Sequence, residues 1–167
     1  MPRKMTIGVV GPGEGAGDAD IALGHQLGKL IAGHRWILLS GGRAAGVMDA
    51  VNRGAKAAGG LTVGVIPSSR DAISEAVEVA LITDMGSARN NIIVLSSDVV
   101  VSCGRGGAGT ASEIALALKA GKHVVLLGTG EEGRSYFQTL GRELVHVAST
   151  PAEAVEIVGG LFAKRRS

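Results

Sequence analysis

Three arginines and one glutamate are the residues whose types and positions most clearly indicate chemistry. Arg43 and Arg105 lie inside glycine-rich segments. Arg89 begins an apolar helical stretch, and Glu113 lies one turn into another. The planar guanidinium of arginine binds phosphate and other oxyanions through parallel N–H donors, so these residues indicate an anionic ligand. Each arginine taken singly is equally compatible with a solvated surface position, and Glu113 with a residue that complements the dipole of its helix.

Glycine is concentrated in three segments, each placed after a run of apolar residues. The segments are Gly11–Gly17, Gly41–Gly46 and Gly104–Thr110. Glycine lets backbone N–H groups turn toward a ligand, and a helix that begins there adds unpaired N–H donors and the positive end of its dipole. In open α/β sheets such turns lie together at the carboxyl edge, where ligands bind. One such segment is compatible with a purely structural turn, whereas three together predict a phosphate-like ligand.

Several other site chemistries lack their sequence motifs. The P-loop pattern is absent, and no acidic residue ends the second apolar run, at Leu39–Gly41, where dinucleotide-binding proteins bind the ribose. The four histidines show no metal-ligand spacing, so no metal site is predicted. Cys103 is the single cysteine, which fits a reducing compartment. It is interpreted as a small buried residue, with a soft ligand at the mouth of the site as the alternative.

The elements that must position these residues follow from hydrophobic periodicity. Nearly continuous runs rich in β-branched residues indicate strands that are buried on both faces. Six such runs lie at Thr6–Val10, Trp36–Leu39, Leu61–Ile66, Val79–Ile82, Val99–Val101 and His123–Leu127, and a weaker one lies at Leu144–Val147.

Apolar residues at helical spacing fill the intervals between these runs. Asp18 or Asp20 is expected to cap the first helix, and Gly33 to end it. Thr150 and Glu153 form a capping-box pattern before the last helix. Further helices are expected around Val47–Ala55, Ile92–Leu95 and Ile114–Leu118.

Strands that alternate with helices predict a single Rossmann-like α/β domain over residues 1–167. Strand–helix–strand units cross over right-handed and build parallel sheets. We therefore expect a doubly wound, mostly parallel sheet of six or seven strands flanked by helices, with the glycine segments at one edge. The basic end segments, 1–4 and 164–167, are expected to be frayed.

The overall composition excludes several classes of protein. Hydrophobic residues make up 46% of the 167 positions, which is incompatible with a disordered chain. The net charge is only +2 and aromatic residues are 2%, so neither a basic face nor base stacking supports nucleic-acid binding. No apolar stretch is long enough for a membrane span or a signal peptide. The predicted location is the cytoplasm.

One glycine segment resembles a known motif. Gly106–Glu113 is similar to the G-G-x-G-T-x-x-E motif of the Lonely Guy (LOG) proteins, and Gly41–Gly42, Gly46–Met48 and Val63–Pro67 match further landmarks in order. The resemblance covers roughly residues 5 to 160. In LOG enzymes an arginine and a glutamate catalyse removal of ribose 5′-phosphate from a cytokinin nucleotide. The resemblance places these roles on Arg89 and Glu113.

Three departures from the enzymes resemble the molybdenum cofactor carrier branch of the same superfamily. The enzymes' proline before the glycine pair falls on Gly104, with Arg105 inserted after it. Their Arg-Lys pair is Arg89–Asn90 here, and the first loop is Gly11–Gly15 instead of a serine-rich turn. Members of the carrier branch bind and protect the molybdenum cofactor, a phosphorylated pterin whose dithiolene holds molybdenum.

The resemblance implies a binding protein with the molybdenum cofactor as cargo rather than an enzyme. The alternative is a LOG-type hydrolase of AMP-like or cytokinin nucleotides, in which Arg89 and Glu113 are catalytic. A third is a nucleotide-sensing protein without catalysis. The ligand-binding residues expected from the loops and the resemblance together are Gly11, Gly13, Gly15, Gly41, Gly42, Arg43, Arg89, Asn90, Gly104, Arg105, Gly106, Gly107, Gly109, Thr110 and Glu113.

The same branch consists of homo-oligomers, so a dimer or a tetramer built from dimers is expected. Two helical stretches, Asn91–Ser96 and Ile114–Ala120, carry many apolar residues and few charges, and they are the expected interface. Molybdoenzymes and proteins of cofactor synthesis are the implied further partners.

Overall fold

All seven strands of the structure, a computed structural model that describes residues 3–165, belong to one parallel sheet. The strands are β1 (Thr6–Val10), β2 (Ile37–Ser40), β3 (Thr62–Ile66), β4 (Val79–Ile82), β5 (Val99–Cys103), β6 (Val124–Leu127) and β7 (Val145–Ala148). Their order is β4-β3-β2-β1-β5-β6-β7, and every adjacent pair is parallel. The predicted α/β sheet is confirmed. Its direction of winding reverses between β1 and β5, which makes the carboxyl ends of these two strands the expected place for a ligand.

Six α-helices of the described chain cover the two faces of the sheet. They are α1 (Asp18–Gly33), α2 (Gly46–Ala57), α3 (Asn90–Ser96), α4 (Ala108–Lys119), α5 (Glu131–Gly141) and α6 (Pro151–Arg165). The core on one face contains residues of α1, α2 and α6, and the core on the other contains residues of α3, α4 and α5. The fold is therefore three-layered, with the sheet in the middle.

Helix α5 was not expected from the sequence. Of its eleven residues only Phe137 and Gly141 are buried, so its apolar stripe is too narrow to stand out from a polar loop. A short 3₁₀ turn, Gly86–Arg89, also precedes α3 and places Arg89 at its end.

The predicted cap of α1 was wrong, while that of α6 is confirmed. Gly17 is the N-cap of α1, and the Asp20 carboxylate accepts its backbone N–H at 3.4 Å. Asp20 is thus the third residue of the helix, and its carboxylate accepts the N–H of the N-cap residue instead of being the N-cap itself. At α6 the Thr150 hydroxyl accepts the N–H of Glu153 at 3.1 Å, and the Glu153 carboxylate accepts the N–H of Ser149 at 2.7 Å. Gly33 ends α1 as expected.

The described ends of the chain contact the fold. The guanidinium of Arg3 pairs with the buried carboxylate of Asp98, and Lys164 lies within α6. An ion pair therefore involves Arg3 and a helix includes Lys164, while fraying of the two end segments stays a prediction. Residues 1–2 and 166–167 of that prediction lie outside the described residues. Within the described chain no helix is both long and apolar enough to cross a membrane.

Helices α3 and α4 direct most of their apolar residues inward. Ile93 and Val94 of α3 and Ile114 and Ala117 of α4 belong to the core between these helices and the sheet. Leu95 is the large apolar side chain that α3 leaves exposed. The apolar composition that suggested an interface here is explained mainly by packing within the chain.

Glycines let α1 and α2 approach each other closely. A Cβ on Gly28 of α1 would overlap the carbonyl oxygen of Val51, and one on Gly54 of α2 would overlap the carbonyl oxygen of His25. Both obstacles are backbone atoms, which cannot rotate away. Close packing of these helices therefore requires the two glycines.

Gly28→Ala is expected to destabilise the protein by about 2 kcal/mol, because α1 and α2 must separate to admit the methyl group. Urea unfolding followed by circular dichroism measures the change. The matched control is Gly33→Ala in the same helix, where an added Cβ meets nothing within 4 Å and the effect is expected to stay under about 1 kcal/mol. Equal stability of the two variants would contradict the packing argument.

Candidate functional site

A cavity of about 700 Å³ lies at the carboxyl edge of the sheet, in the size range of small-molecule sites. Parallel strands bring their following loops to one edge, so segments that are far apart in the chain meet there. Twelve of the fifteen predicted ligand-binding residues line it: Gly11, Gly13, Gly15, Arg43, Arg89, Asn90, Arg105, Gly106, Gly107, Gly109, Thr110 and Glu113. The remaining wall is formed by Pro12, Glu14, Asp20, Met48, Pro67, Asp71, Gly86 and Ser87.

The other three predicted residues, Gly41, Gly42 and Gly104, are not in the wall of the cavity. Gly42 has φ +67°, and a Cβ there would lie 2.7 Å from the Cα of Gly64. Gly104 has φ +89°, and its Cβ would lie 2.8 Å from the carboxyl carbon of Asp20. These positions require glycine for backbone shape and close approach. Their contact with a ligand stays a prediction.

The start of α4 presents free backbone donors to the cavity. Its N-cap is Gly107, which has no side chain to accept an N–H. The first three helical N–H groups, of Ala108, Gly109 and Thr110, have no intrahelical acceptor by geometry, and within the described chain none of them has another partner. Together with the positive end of the helix dipole, these donors form a site that favours an anion.

Arg43 is held by two carboxylates. Its Nη2 lies 2.9 Å from Oε1 of Glu14, and its Nε lies 3.1 Å from Oδ1 of Asp71. Glu14 belongs to the first glycine loop, and Asp71 to the loop between β3 and β4. The guanidinium therefore ties these two loops together, and its charge is already compensated.

Arg105 differs from Arg43 in having no ionic partner among residues 3–165. Its side chain is exposed, and it stands three residues before the first residue of α4. Its positive charge adds to that of the helix end beside it, which favours an anion at this part of the cavity.

Arg89 and Glu113 form a buried pair deeper in the cavity. Their side chains are 9% and 10% exposed, and Nη1 of Arg89 lies 3.8 Å from Oε1 of Glu113. Nη1 also donates to Oδ1 of Asn90, while the buried Nε has no hydrogen-bond partner in the described part of the chain. A buried donor without a partner is costly, so a ligand atom that accepts from it is favoured.

Burial shifts the titration of both groups in the pair. It raises the pKa of the Glu113 carboxyl to about 7, although the charge of Arg89 acts in the opposite direction. It lowers the pKa of the Arg89 guanidinium, and the carboxylate of Glu113 opposes this shift. Burial therefore favours the protonated form of the glutamate beside the arginine.

The two carboxylates that hold Arg43, those of Glu14 and Asp71, were not among the predicted site residues. Glu14 stands within the first glycine segment, and a carboxylate inside a predicted anion site was a usable signal. Asp71 had no such signal, because it reaches the site only through the loop that follows β3.

The cysteine takes no part in the cavity wall. Cys103 is buried at the end of β5, and burial raises the pKa of its thiol to about 12. This agrees with its interpretation as a small buried residue. Within residues 3–165 no cluster of three or more metal-ligating side chains occurs.

The chain matches one family model and is similar to several solved structures of known proteins. The model of the SLOG cluster4 family matches residues 4–155. A molybdenum cofactor binding protein from the phototrophic bacterium Rippkaea orientalis has 48% sequence identity and a TM-score of 0.92, over 96% of this chain and 98% of that one. The Moco carrier protein of Chlamydomonas reinhardtii has 51% identity and a TM-score of 0.92, over 97% and 99% of the two chains.

A more distant relative is an enzyme. The cytokinin riboside 5′-monophosphate phosphoribohydrolase of Mycobacterium tuberculosis is 35% identical over 97 residues, which are 56% of this chain and 51% of the enzyme. The likeness to the cofactor-binding proteins therefore covers nearly the whole chain, and the likeness to the hydrolase about half of it.

Proposed function

This chain belongs to the SLOG cluster4 family, and from that premise we propose that it binds and carries the molybdenum cofactor. The observation that most supports this proposal is the cavity at the carboxyl edge of the sheet. There the unpaired backbone N–H groups at the start of α4 lie beside Arg105, which has no ionic partner among residues 3–165. The near-complete likeness to a molybdenum cofactor binding protein and to a Moco carrier supports this ligand.

The phosphate of the cofactor would bind at the start of α4. Gly106, Gly107, Gly109 and Thr110 line this part of the cavity, and Arg105 adds the positive charge. Backbone donors are fixed in direction and need no reorganisation, so a phosphate is held without catalytic groups.

The pterin would lie toward the deeper pair. The free Nε–H of Arg89 can donate, and Glu113 can donate when protonated or accept when ionised. A heterocycle edge that carries both donors and acceptors matches such a pair. Glu113 also favours the pterin rather than the phosphate at this deeper end of the cavity, because an ionised carboxylate would repel phosphate.

The charge of the cavity wall supports a role for Arg43 in holding the loops rather than the anion. Both carboxylates that pair with it lie in the wall, so its charge is already neutralised and attracts a ligand phosphate less strongly. Of the three candidate arginines we therefore assign the phosphate to Arg105 and the pterin end to Arg89.

Extraction of the protein purified from its own host tests the proposal. We expect molybdenum by elemental analysis and a fluorescent oxidised pterin, in a ratio near one to one. AMP in the extract, without molybdenum and pterin, would contradict it.

Arg105→Ala is expected to weaken binding of isolated molybdenum cofactor about tenfold, since one charge-assisted contact at an exposed position is lost. Anaerobic equilibrium dialysis measures the dissociation constant. Arg70→Ala is the matched control, because Arg70 is exposed but does not line the cavity. Equal affinities of the two variants would remove Arg105 from the site.

One observation favours hydrolysis of a nucleoside 5′-monophosphate as a second candidate function. Glu113 has a pKa of about 7, which suits a general acid or base at neutral pH, and Arg89 lies beside it. The 35% identity to a phosphoribohydrolase over 97 residues supports the same activity. Release of adenine from AMP by the wild type, lost in Glu113→Gln, would establish this function instead.

A further inference from the structure

Two histidines that are distant in the sequence meet near the amino edge of the sheet. His123 directly precedes β6, and His146 is the second residue of β7. In the register of these parallel strands His146 pairs with Val125, and side chains two residues apart in a strand share a face. His123 and His146 therefore lie on the same face of the sheet, diagonally across two adjacent strands.

The two imidazole rings direct nitrogen atoms toward each other. Nδ1 of His123 lies 3.0 Å from Nε2 of His146. The ring centroids are 5.2 Å apart, and the ring planes are inclined by 40°. Both residues are half-buried, so the fold restricts the rings while solvent still reaches them. A pair of imidazoles held in this way can donate two nitrogen lone pairs to one ion.

The protonation of the pair is compatible with metal binding. At 3.0 Å one of the facing nitrogens carries a hydrogen and the other accepts it. A neutral imidazole carries its single hydrogen on either nitrogen. Transfer of that hydrogen to the other nitrogen of the same ring leaves both facing nitrogens with a lone pair, and a neutral pair loses no proton. Neutral imidazole is the form that binds metal ions.

The distance between the nitrogens indicates the geometry of the ion. Imidazole nitrogens lie about 2.0–2.1 Å from a bound divalent metal, so two of them at a right angle are about 2.8–3.0 Å apart. At the tetrahedral angle the same bond lengths place them about 3.3–3.4 Å apart. The observed 3.0 Å therefore fits two neighbouring positions of a square-planar or octahedral ion better than it fits tetrahedral zinc.

We propose that His123 and His146 bind a divalent late transition metal ion, Cu²⁺ or Ni²⁺, through Nδ1 and Nε2 in neighbouring positions, with water as the other ligands. Both ions accept imidazole and favour right angles between ligands, and Cu²⁺ binds nitrogen ligands most tightly among the divalent first-row metals.

This site is separate from the cavity that we assign to the cofactor. The four residues of β6 span about 13 Å between its two ends, and the cavity lies at the carboxyl edge. The two proposals can therefore fail independently.

A nearby positive charge limits the affinity of the pair. Helix α6 packs on this face of the sheet. Burial lowers the pKa of His146, and the charges of His123 and of Lys164 in α6 act in the same direction. The ammonium group of Lys164 should repel a bound cation as well. Lys164→Gln is therefore expected to strengthen Cu²⁺ binding about threefold, the size of an exposed charge interaction.

His146→Gln tests the site by removing one of its two protein ligands. Titration of the full chain with Cu²⁺, followed by the visible absorption of the bound ion, should show one tightly bound ion in the wild type. The variant should bind this ion at least about tenfold more weakly. His25→Gln is the matched control, because His25 is an exposed histidine of α1, and it should bind Cu²⁺ like the wild type.

Electron paramagnetic resonance of the Cu²⁺-loaded wild type should show coupling to two imidazole nitrogens, a result that does not depend on the folding of any variant. Far-UV circular dichroism and the Tm identify a variant that has failed to fold. Ni²⁺ should bind the wild type more tightly than Zn²⁺. The absence of two-nitrogen coupling, an unchanged Cu²⁺ affinity of folded His146→Gln, an equal loss in His25→Gln, or tighter binding of Zn²⁺ than of Ni²⁺ would each overturn the proposal.

Discussion

Arg89→Ala is expected to weaken binding of the molybdenum cofactor about 100-fold, the largest effect of any single substitution in the cavity. Arg89 is 8% exposed, and its Nε–H has no hydrogen-bond partner among residues 3–165. A buried charged donor contributes about 1.5–3 kcal/mol to a contact, and about 3 kcal/mol corresponds to 100-fold in affinity. Equilibrium dialysis with isolated cofactor under anaerobic conditions measures the change.

Two further variants separate lost binding from lost folding. Arg89→Met keeps most of the side-chain volume but removes the charge, and it should bind as weakly as Arg89→Ala. Arg53→Ala removes an arginine whose pairing with Asp49 is on the surface, and it should bind like the wild type. Wild-type affinity of a folded Arg89→Met would exclude Arg89 from the ligand site.

The wild type is expected to lose about 3 kcal/mol of stability as pH rises and Glu113 ionises. Glu113→Gln is expected to remove this loss. The pKa of Glu113 is raised from an ordinary 4.5 to about 7 in the folded protein. Between these values the folded chain holds a proton that the unfolded chain has released, so the stability contributed by this group falls as pH rises. It is fully present below about pH 4.5 and lost above about pH 7. The size of this loss is the difference between the two pKa values multiplied by about 1.4 kcal/mol per unit.

Urea unfolding of the wild type and of Glu113→Gln at several pH values between 4.5 and 8.5 measures this difference. The glutamine is neutral throughout, so the variant should gain stability relative to the wild type as pH rises. Comparison at each pH cancels the titration of all other groups. A constant difference across the range would show that Glu113 titrates normally.

The same variant separates the two candidate functions. If the protein is a carrier, the affinity of the wild type for the cofactor falls about tenfold above pH 7, where an ionised carboxylate repels the anion. Glu113→Gln keeps its affinity for the cofactor and does not show this fall. If it is a hydrolase, the variant still binds AMP but turns it over at least about 100-fold more slowly. Assays of adenine release and of cofactor binding on the same preparations decide between them.

The sequence by itself determined the strands, most helices and the composition of the glycine loops. Local patterns suffice for these, since buried parallel strands are continuous apolar runs and turns require glycine. Thr6–Val10 and Val79–Ile82 were predicted at their observed bounds. The exception, α5, has few apolar residues and buries one large side chain, Phe137, so its sequence resembles a polar loop.

Only the tertiary structure decided which charges are free. Arg43 and Arg105 both lie inside glycine segments, but Arg43 meets Glu14 and Asp71, which lie in two other loops. No local pattern encodes such meetings, because they depend on strand order and on the path of the β3–β4 loop.

The exposure of β4 was likewise a tertiary result. Its apolar run predicts a strand buried on both faces, as for β6, whose four residues are all buried. β4 is instead exposed because it ends the sheet and the loop before it brings no helix to cover it. Apolar composition gives a segment a tendency to be buried. The order of the strands decides whether another part of the same chain packs against that segment and buries it.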